Sequence, residues 1–508
     1  MGASILSLAI SGIESYPVDV EVDLPGGLPG TTIVGLPQGA VREARDRVAS
    51  AIRNSGETWR GEKLTINLAP ADRRKDSSAL DLPIAVGILA AQENLAPERT
   101  AGLAWVGELS LDGRLRPVAG VICMAVEAAR LGLRGIVVPS ANAAEARLVP
   151  ELDVIAASTL REVLAFVRAG TRPRASEDGN SFEPIAEGGP TDLAHLRGQE
   201  GARRALEVAA AGGHNLLMVG PPGVGKTYLA RSLPGILPPL ERSEGLEVTR
   251  IHSVADKGVR GLIRRRPFRA PHHTVSDAGL VGGGTPLRPG EITLAHRGVL
   301  FLDELPEFRR STLELMRQPL EDRRVEHARA RDRVILPAGF TLIAAMNPCP
   351  CGYRGTGRCR CSPSRVRRYL DRLSGPLLDR FDLCIELSSL SSESLLELSD
   401  PSAPASESSQ QVASRVREAR SRALGRGASV SNAELAAGHL LRVADLDEGG
   451  RELMREALEV GVISARGHGR CLRVARTIAD LAGEERVGSN HLAEALSYRL
   501  NRRILAQD

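Results

Sequence analysis

No apolar run in this chain reaches the roughly 20 residues needed to cross a bilayer. "ILSLAI" near its start has neither a basic leader nor a cleavage site, so a cytoplasmic protein is expected. Cysteine is scarce, at seven residues in 508. In a reducing compartment so few thiols argue against a disulfide framework and turn attention to metal binding or simple packing. Lysine is scarcer still: four of the 66 basic residues, at positions 63, 75, 226 and 257. Arginine supplies the rest, and a lysine that survives such a bias marks a place where a compact ammonium matters. No internal repeat is present.

What is there is ordinary in bulk. Hydrophobic content of 42% and charged content of 25% are those of a globular protein, and 508 residues are too many for one core. The net charge of +4 does not by itself point to nucleic acid. Its distribution is more telling, because basic residues bunch in "IRRRPFRAPHH" (263–273), "RRVEHARARDR" (323–333) and "RCRCSPSRVRRYLDR" (358–372). Any one such run reads as solvated surface, but three in one stretch of chain ask for a partner.

Three parts follow from the pattern. In residues 1–170, short β-branched runs alternate with helical patterns through "VDVEVDL", "TTIVGL", "LTINLA", "LDLPIAVGILAAQ" and "RGIVVP", the mark of an α/β or α+β layer. Residues 171–190 are polar and aperiodic and read as a linker. A second α/β region spans 191–388, a Ser-rich connector 389–410, and residues 411–508 carry helical periodicity throughout.

The strongest chemical signal is "NLLMVGPPGVGKTYLA" (215–230), a short apolar strand, a Gly-rich turn and a helix. Gly220, Pro221, Pro222, Gly223, Val224 and Gly225 would wrap phosphate oxygens with backbone N–H groups, and the helix N-terminus adds favourable partial charge. Lys226 would reach the β- and γ-phosphates of ATP, and the Thr227 hydroxyl would coordinate Mg²⁺. "GVLFLDELPEF" (298–308) ends a buried strand in Asp303, a Mg²⁺ holder, and Glu304, which would polarise the attacking water. "FTLIAAMNP" ends another at Asn347, whose amide can orient that water. Arg380 in "GPLLDRFDL" stands where an arginine commonly faces a neighbouring subunit's nucleotide, and Arg473 (alternatively Arg470) is a candidate phosphate contact from the helical lid.

Four of the seven cysteines fall in "NPCPCGYRGTGRCRC" (347–361) as two C-x-C pairs. Cys349, Cys351, Cys359 and Cys361 can surround one structural Zn²⁺, although C-x₂-C is the commoner spacing; four reduced thiols packed in a loop are the plainer alternative. His272 and His273 are expected in a local structural or DNA-contacting role.

These residues in this order resemble the AAA+ ATPases of the magnesium-chelatase-like branch. "FRAPHHTVSDAGLVGGGTPLRPGEITLAHRGVLFLDELPEF" and "MNPCPCGY…CRCSPSRVRRYLDRLSGPLLDRFDL" are similar to the YifB/ComM family of bacterial proteins. The resemblance covers nearly the whole chain. It implies a Lon-protease-like N-terminal domain, a P-loop core and a C-terminal helical lid. It further implies a hexameric ring with ATP between subunits, Arg380 acting across each interface, and a helicase that promotes branch migration on single-stranded and branched DNA during natural transformation. In that frame "EDRRVEHARARDRVILPAG" (321–339) is a hairpin whose Arg-rich tip projects into the pore. A chelatase-type motor that remodels a protein partner is the alternative, although no D-x-S-x-S adhesion sequence is present. Lon uses a Ser–Lys dyad; here the matching positions fall on Ala79 and near Ile122. No lysine lies in 113–139, and Ser77 and Ser78 are expected to point elsewhere, so proteolysis is not expected.

Overall fold

The structure is a computed structural model. It describes residues 2–173, 191–389 and 406–500, except positions 26–27, 29, 38, 59–62, 74, 76, 94–96, 257–260, 286, 329–332, 356, 428–430 and 462. Most of the expected linkers, at 174–190 and 390–405, lie outside the described residues, as do Lys257 and the tip of the basic hairpin at 329–332.

The N-terminal part is built on two sheets. Strands Ala3–Ser11 and Glu14–Asp23 form an antiparallel hairpin, and Lys63–Ala69 and then Gly30–Val34 extend it. Glu14–Asp23 alternates inward Val18, Val20 and Val22 with exposed acids, which leaves one face of the sheet for the core. Helix Asp81–Glu93 covers that face. It is buried nearly all round, and Gly87 lets it approach closely, since a Cβ there would lie 2.8 Å from Val22 Cγ2. A three-stranded parallel sheet, Leu103–Trp105, Gly135–Pro139 and Asp153–Ala157, sits beside it.

The central part is a five-stranded, all-parallel sheet in the order Phe268–Arg269, Val299–Leu302, Thr341–Met346, Leu216–Val219, Leu383–Glu386. Both Leu216–Val219 and Val299–Leu302 are buried at every residue. Strands covered on both faces read as continuous apolar runs rather than alternating ones, as "LLMV" and "VLFL" do. Their carboxyl ends share one edge of the sheet, and that edge is where α/β sheets bind ligands.

The C-terminal part is helical. Helix Ser409–Gly425 packs on Glu200–Gly212 and Lys226–Ile236, so the lid rests on the helix that follows the phosphate loop. Inside it Arg476, fully buried, pairs with Asp480 at 3.0 Å and donates to the carbonyls of Glu484 and Glu485. His214 Nε2 lies 2.8 Å from Thr477 Oγ1 and ties lid to sheet.

The N-terminal part docks on helix Arg242–Ala255. Gly120 N–H donates to the Ser253 carbonyl at 3.0 Å, Arg250 to Ile13 O at 3.1 Å, and the Ser253 hydroxyl to buried Glu145. Glu145 also accepts from the backbone N–H of Ile122 at 2.9 Å, and its burial raises its pKa. Among the described residues no helix is long and apolar enough to cross a membrane.

Candidate nucleotide site and cysteine cluster

Gly220 follows strand Leu216–Val219 directly, and a Cβ at this position would sit 2.6 Å from the Leu387 carbonyl oxygen, so only glycine fits. Gly225 is the N-cap of helix Lys226–Ile236 with φ of 93°, a left-handed conformation that disfavours any side chain. It contributes no capping oxygen, and the first-turn N–H groups point out of the helix end towards whatever anion the loop encloses.

Lys226 Nζ donates to the carbonyls of Gly220 at 2.7 Å and Pro221 at 2.8 Å and to Asn347 Oδ1 at 3.1 Å. Burial lowers its pKa, while the nearby carboxylates of Asp303 and Glu304 pull the other way. Thr227 Oγ1 donates to Asp303 Oδ2 at 2.8 Å, and Asp303 Oδ1 accepts from Glu304 N–H at 2.9 Å. Lys226, Thr227, Asp303, Glu304 and Asn347 therefore form one connected set at the ends of three neighbouring strands. A hydroxyl and a carboxylate held together beside a phosphate loop are the oxygen ligands that Mg²⁺ takes.

Glu304 adopts φ of 51°, uncommon outside glycine, and its carboxylate lies 3.6 Å from His273 Nδ1. His273 stands 4.0 Å, centroid to centroid, from His272 and edge-on to Phe308 at 6.4 Å. The sequence reading missed this partnership. It arises because Phe268–Arg269 pairs in parallel with Val299–Leu302, which brings the segments beyond both strand ends together.

The expected arginines have other partners within this subunit. Arg473 donates to the Leu435 carbonyl at 2.9 and 2.6 Å, inside the lid. Burial tends to raise the Asp382 carboxyl, but the His214 ring 3.4 Å away and the charges of Arg470 and Arg499 outweigh it and hold it low. Arg380 pairs with Glu321, on the short helix Arg317–Asp322 that leads into the basic hairpin Arg324–Ala328/Arg333–Pro337. The hairpin itself leans on the N-terminal part, with Val334 packed over Gly12.

The four cysteine sulfurs of the 349–361 loop lie within 4.8 Å of one another, with Cys349 buried and the others half-buried. Separations of 3.3, 3.8 and 3.7 Å link Cys349 to Cys351 and Cys359, and Cys351 to Cys359. Thiolates around tetrahedral zinc stand about 3.8 Å apart, so the set fits that ion. Backbone N–H groups of Tyr353 and Arg360 bring the Cys351 thiol down to about 6, whereas burial and the neighbouring thiols push Cys361 up to about 11 and raise Cys359 as well. Gly352 in this loop abuts the phosphate loop: a Cβ there would meet Pro222 Cδ at 2.7 Å.

At the positions matching the Lon dyad, Ala79 and Ile122 are both fully buried. Ser77 caps a short turn through Ala79 N–H at 3.2 Å, Ser78 donates to Glu108, and buried Lys75 donates to the carbonyls of Gly35, Leu68 and Pro70.

A phosphate loop and an acid-tipped strand on a parallel sheet of this order, beneath a helical lid, define the AAA+ class of P-loop nucleotide-binding folds. Comparison with known proteins narrows the class. Residues 192–395 match the family described as "Magnesium chelatase, subunit ChlI", 20–142 match "Subunit ChlI of Mg-chelatase", and 406–499 match its C-terminal part. The chain is 45% identical to YifB of Salmonella typhimurium over 99% of its length and 98% of that protein. It is 44% identical to competence protein ComM of Haemophilus influenzae over the same shares, and 44% identical to YifB of Escherichia coli over 98% of this chain and 97% of that one. The chain belongs to the YifB/ComM family of magnesium-chelatase-like AAA+ proteins.

Proposed function

We propose that this protein is an ATP-driven DNA motor that works as a hexameric ring on single-stranded and branched DNA, promoting branch migration in the service of DNA uptake. The observation that carries the ATPase half is the single hydrogen-bonded set joining Lys226 to Asn347 and Thr227 to Asp303. The DNA half draws on the competence name of one relative and on the basic runs.

Thr227 and Asp303 would hold Mg²⁺, which when bound neutralises charge between the β- and γ-phosphates. Lys226, released from the loop carbonyls, would carry the γ-phosphate charge. Glu304 would take the proton of the attacking water, with Asn347 orienting that water and His273 setting where the Glu304 carboxylate rests. Arg380 would leave Glu321 to meet the neighbouring subunit's nucleotide. Four thiolates on one Zn²⁺ would fasten a Gly-rich loop that has few apolar side chains of its own.

The test is steady-state ATP hydrolysis with and without single-stranded and forked DNA, beside Lys226→Ala and Arg380→Ala. Stimulation by DNA, lost in both variants, supports the motor. Hydrolysis indifferent to DNA at low salt refutes it, and favours the second reading that the chelatase description suggests, an ATPase that remodels a protein partner.

A further inference from the structure

The three basic runs differ once their partners are seen. In the first, Arg266 pairs with Glu244 and Arg269 with Glu291, while exposed Arg264 and Arg265 have no ion-pair partner among the described residues. In the second, every described arginine is matched: Arg323 to Glu434, and Arg324 and Arg333 to Glu326. The third is the least neutralised, although Arg372 at its end pairs with Glu307. Between 354 and 372 seven arginines stand against one carboxylate, Asp371. Arg360, Arg365, Arg367 and Arg368 are exposed and Arg354 half-exposed, and none of the five has an ion-pair partner among the described residues. Elsewhere this protein pairs its arginines widely, so an unneutralised cluster raises the local potential and draws polyanions.

The scaffold under the cluster is firmly tied to the nucleotide site. Helix Pro363–Leu370, capped by Ser362 immediately after Cys361, turns Val366, Tyr369 and Leu370 inward and its arginines outward. On the inner side Tyr369 is buried in the same apolar cluster as Met346 and Cys349, on either side of Asn347, and its oxygen lies near the Asn347 backbone N–H. Just past the helix Arg372 donates to Pro306 O at 3.0 Å and pairs with Glu307 at 2.9 Å, in the turn that follows Glu304. The cysteine loop at its other end touches Pro222 through Gly352.

We propose that this cysteine-anchored, Arg-rich helix is a second nucleic-acid site, apart from the basic hairpin. Arg365, Arg367 and Arg368 seat DNA phosphates, and Tyr369 and Arg372 relay that occupancy to Asn347 and Glu304. The site reads backbone charge and not sequence, because no exposed aromatic side chain stands among its arginines to stack bases. It rests on the DNA reading above and names the element through which DNA reaches hydrolysis.

The experiment measures anisotropy of a labelled single-stranded oligonucleotide with full-length protein across a salt series, together with ATP hydrolysis. Arg365→Ala/Arg367→Ala/Arg368→Ala should weaken binding tenfold or more and lower the slope of log K against log salt by about 2. Its melting curve should stay that of the parent. Arg442→Ala/Arg451→Ala/Arg455→Ala, which removes the same charge from the lid, should bind as the parent does. Tyr369→Phe should bind DNA normally yet lose severalfold of its stimulation by DNA. A triple variant that binds with parental affinity and slope overturns the site, as does equal weakening by the lid variant. Parental stimulation in Tyr369→Phe overturns the relay. DNA binding that requires the three arginines without any stimulation of hydrolysis would sustain the site and refute the motor; no binding by the parent protein refutes both.

Discussion

Lys226 directs its ammonium at three oxygens of the site itself, two loop carbonyls and the Asn347 amide, so a γ-phosphate must outbid partners already in place. A phosphate carries full charge where the carbonyls carry partial charge, and the exchange is favourable. Lys226→Ala should lower kcat by about 100-fold or more, the scale for removing a donor aimed at developing charge. Asn347→Ala should lower kcat while leaving nucleotide affinity within a few-fold, because the amide acts on water rather than on phosphate. Phosphate release and nucleotide titration separate the two effects; equal losses of affinity in both variants would contradict this division. The phosphate loop was legible because its parts are eight contiguous residues. The His273–Glu304 contact was not, since it joins positions 31 apart through a two-residue strand inside an Arg- and Pro-rich run that carries no β periodicity.

The cysteine loop and the helix Arg242–Ala255 are the elements whose stability the structure makes testable. If the four thiolates hold zinc, elemental analysis finds one ion per chain. Chelation or Cys351→Ser/Cys359→Ser should then lower the Tm by about 5 °C. Four metal-free thiols would leave Tm unchanged by chelator. On the helix, Glu247 bonds His296 at 3.2 Å and Arg297 at 2.9 Å, and these partners, His296 first, bring its carboxyl down to about 2. A depressed carboxyl contributes stability above its ordinary value near 4.5 and loses it as the pH falls towards 2. Glu247 is 45% exposed, so solvent screening keeps the effect small. Glu247→Gln should therefore cost about 2 °C of Tm near neutrality, less than half of that near pH 3 and almost nothing near pH 2, by calorimetry at all three.

For the whole molecule the decisive matter is whether active sites are shared. Lys226→Ala and Arg380→Ala subunits, each inactive alone, should regain activity when mixed. An interface works only where an intact phosphate loop meets an intact arginine, which at equal mixing gives about a half times a half, or a quarter, of the parent rate. A mixture that stays inactive would place Arg380 in its own subunit's site or in structure alone, for instance in its pairing with Glu321.

The sequence by itself determined the α/β class and the family, and it brought the phosphate loop, the acidic strand end and the cysteine cluster into view. Each of these is written in a short contiguous pattern, whose backbone geometry and apolar period are local properties. Only the tertiary structure decided what lies opposite them. It set His273 against Glu304, the Asn347 backbone against Tyr369, Gly352 against Pro222, and the N-terminal part on helix Arg242–Ala255. It also decided which arginines are neutralised, because a carboxylate partner arrives from another strand or helix and leaves no periodic trace beside the charge it meets.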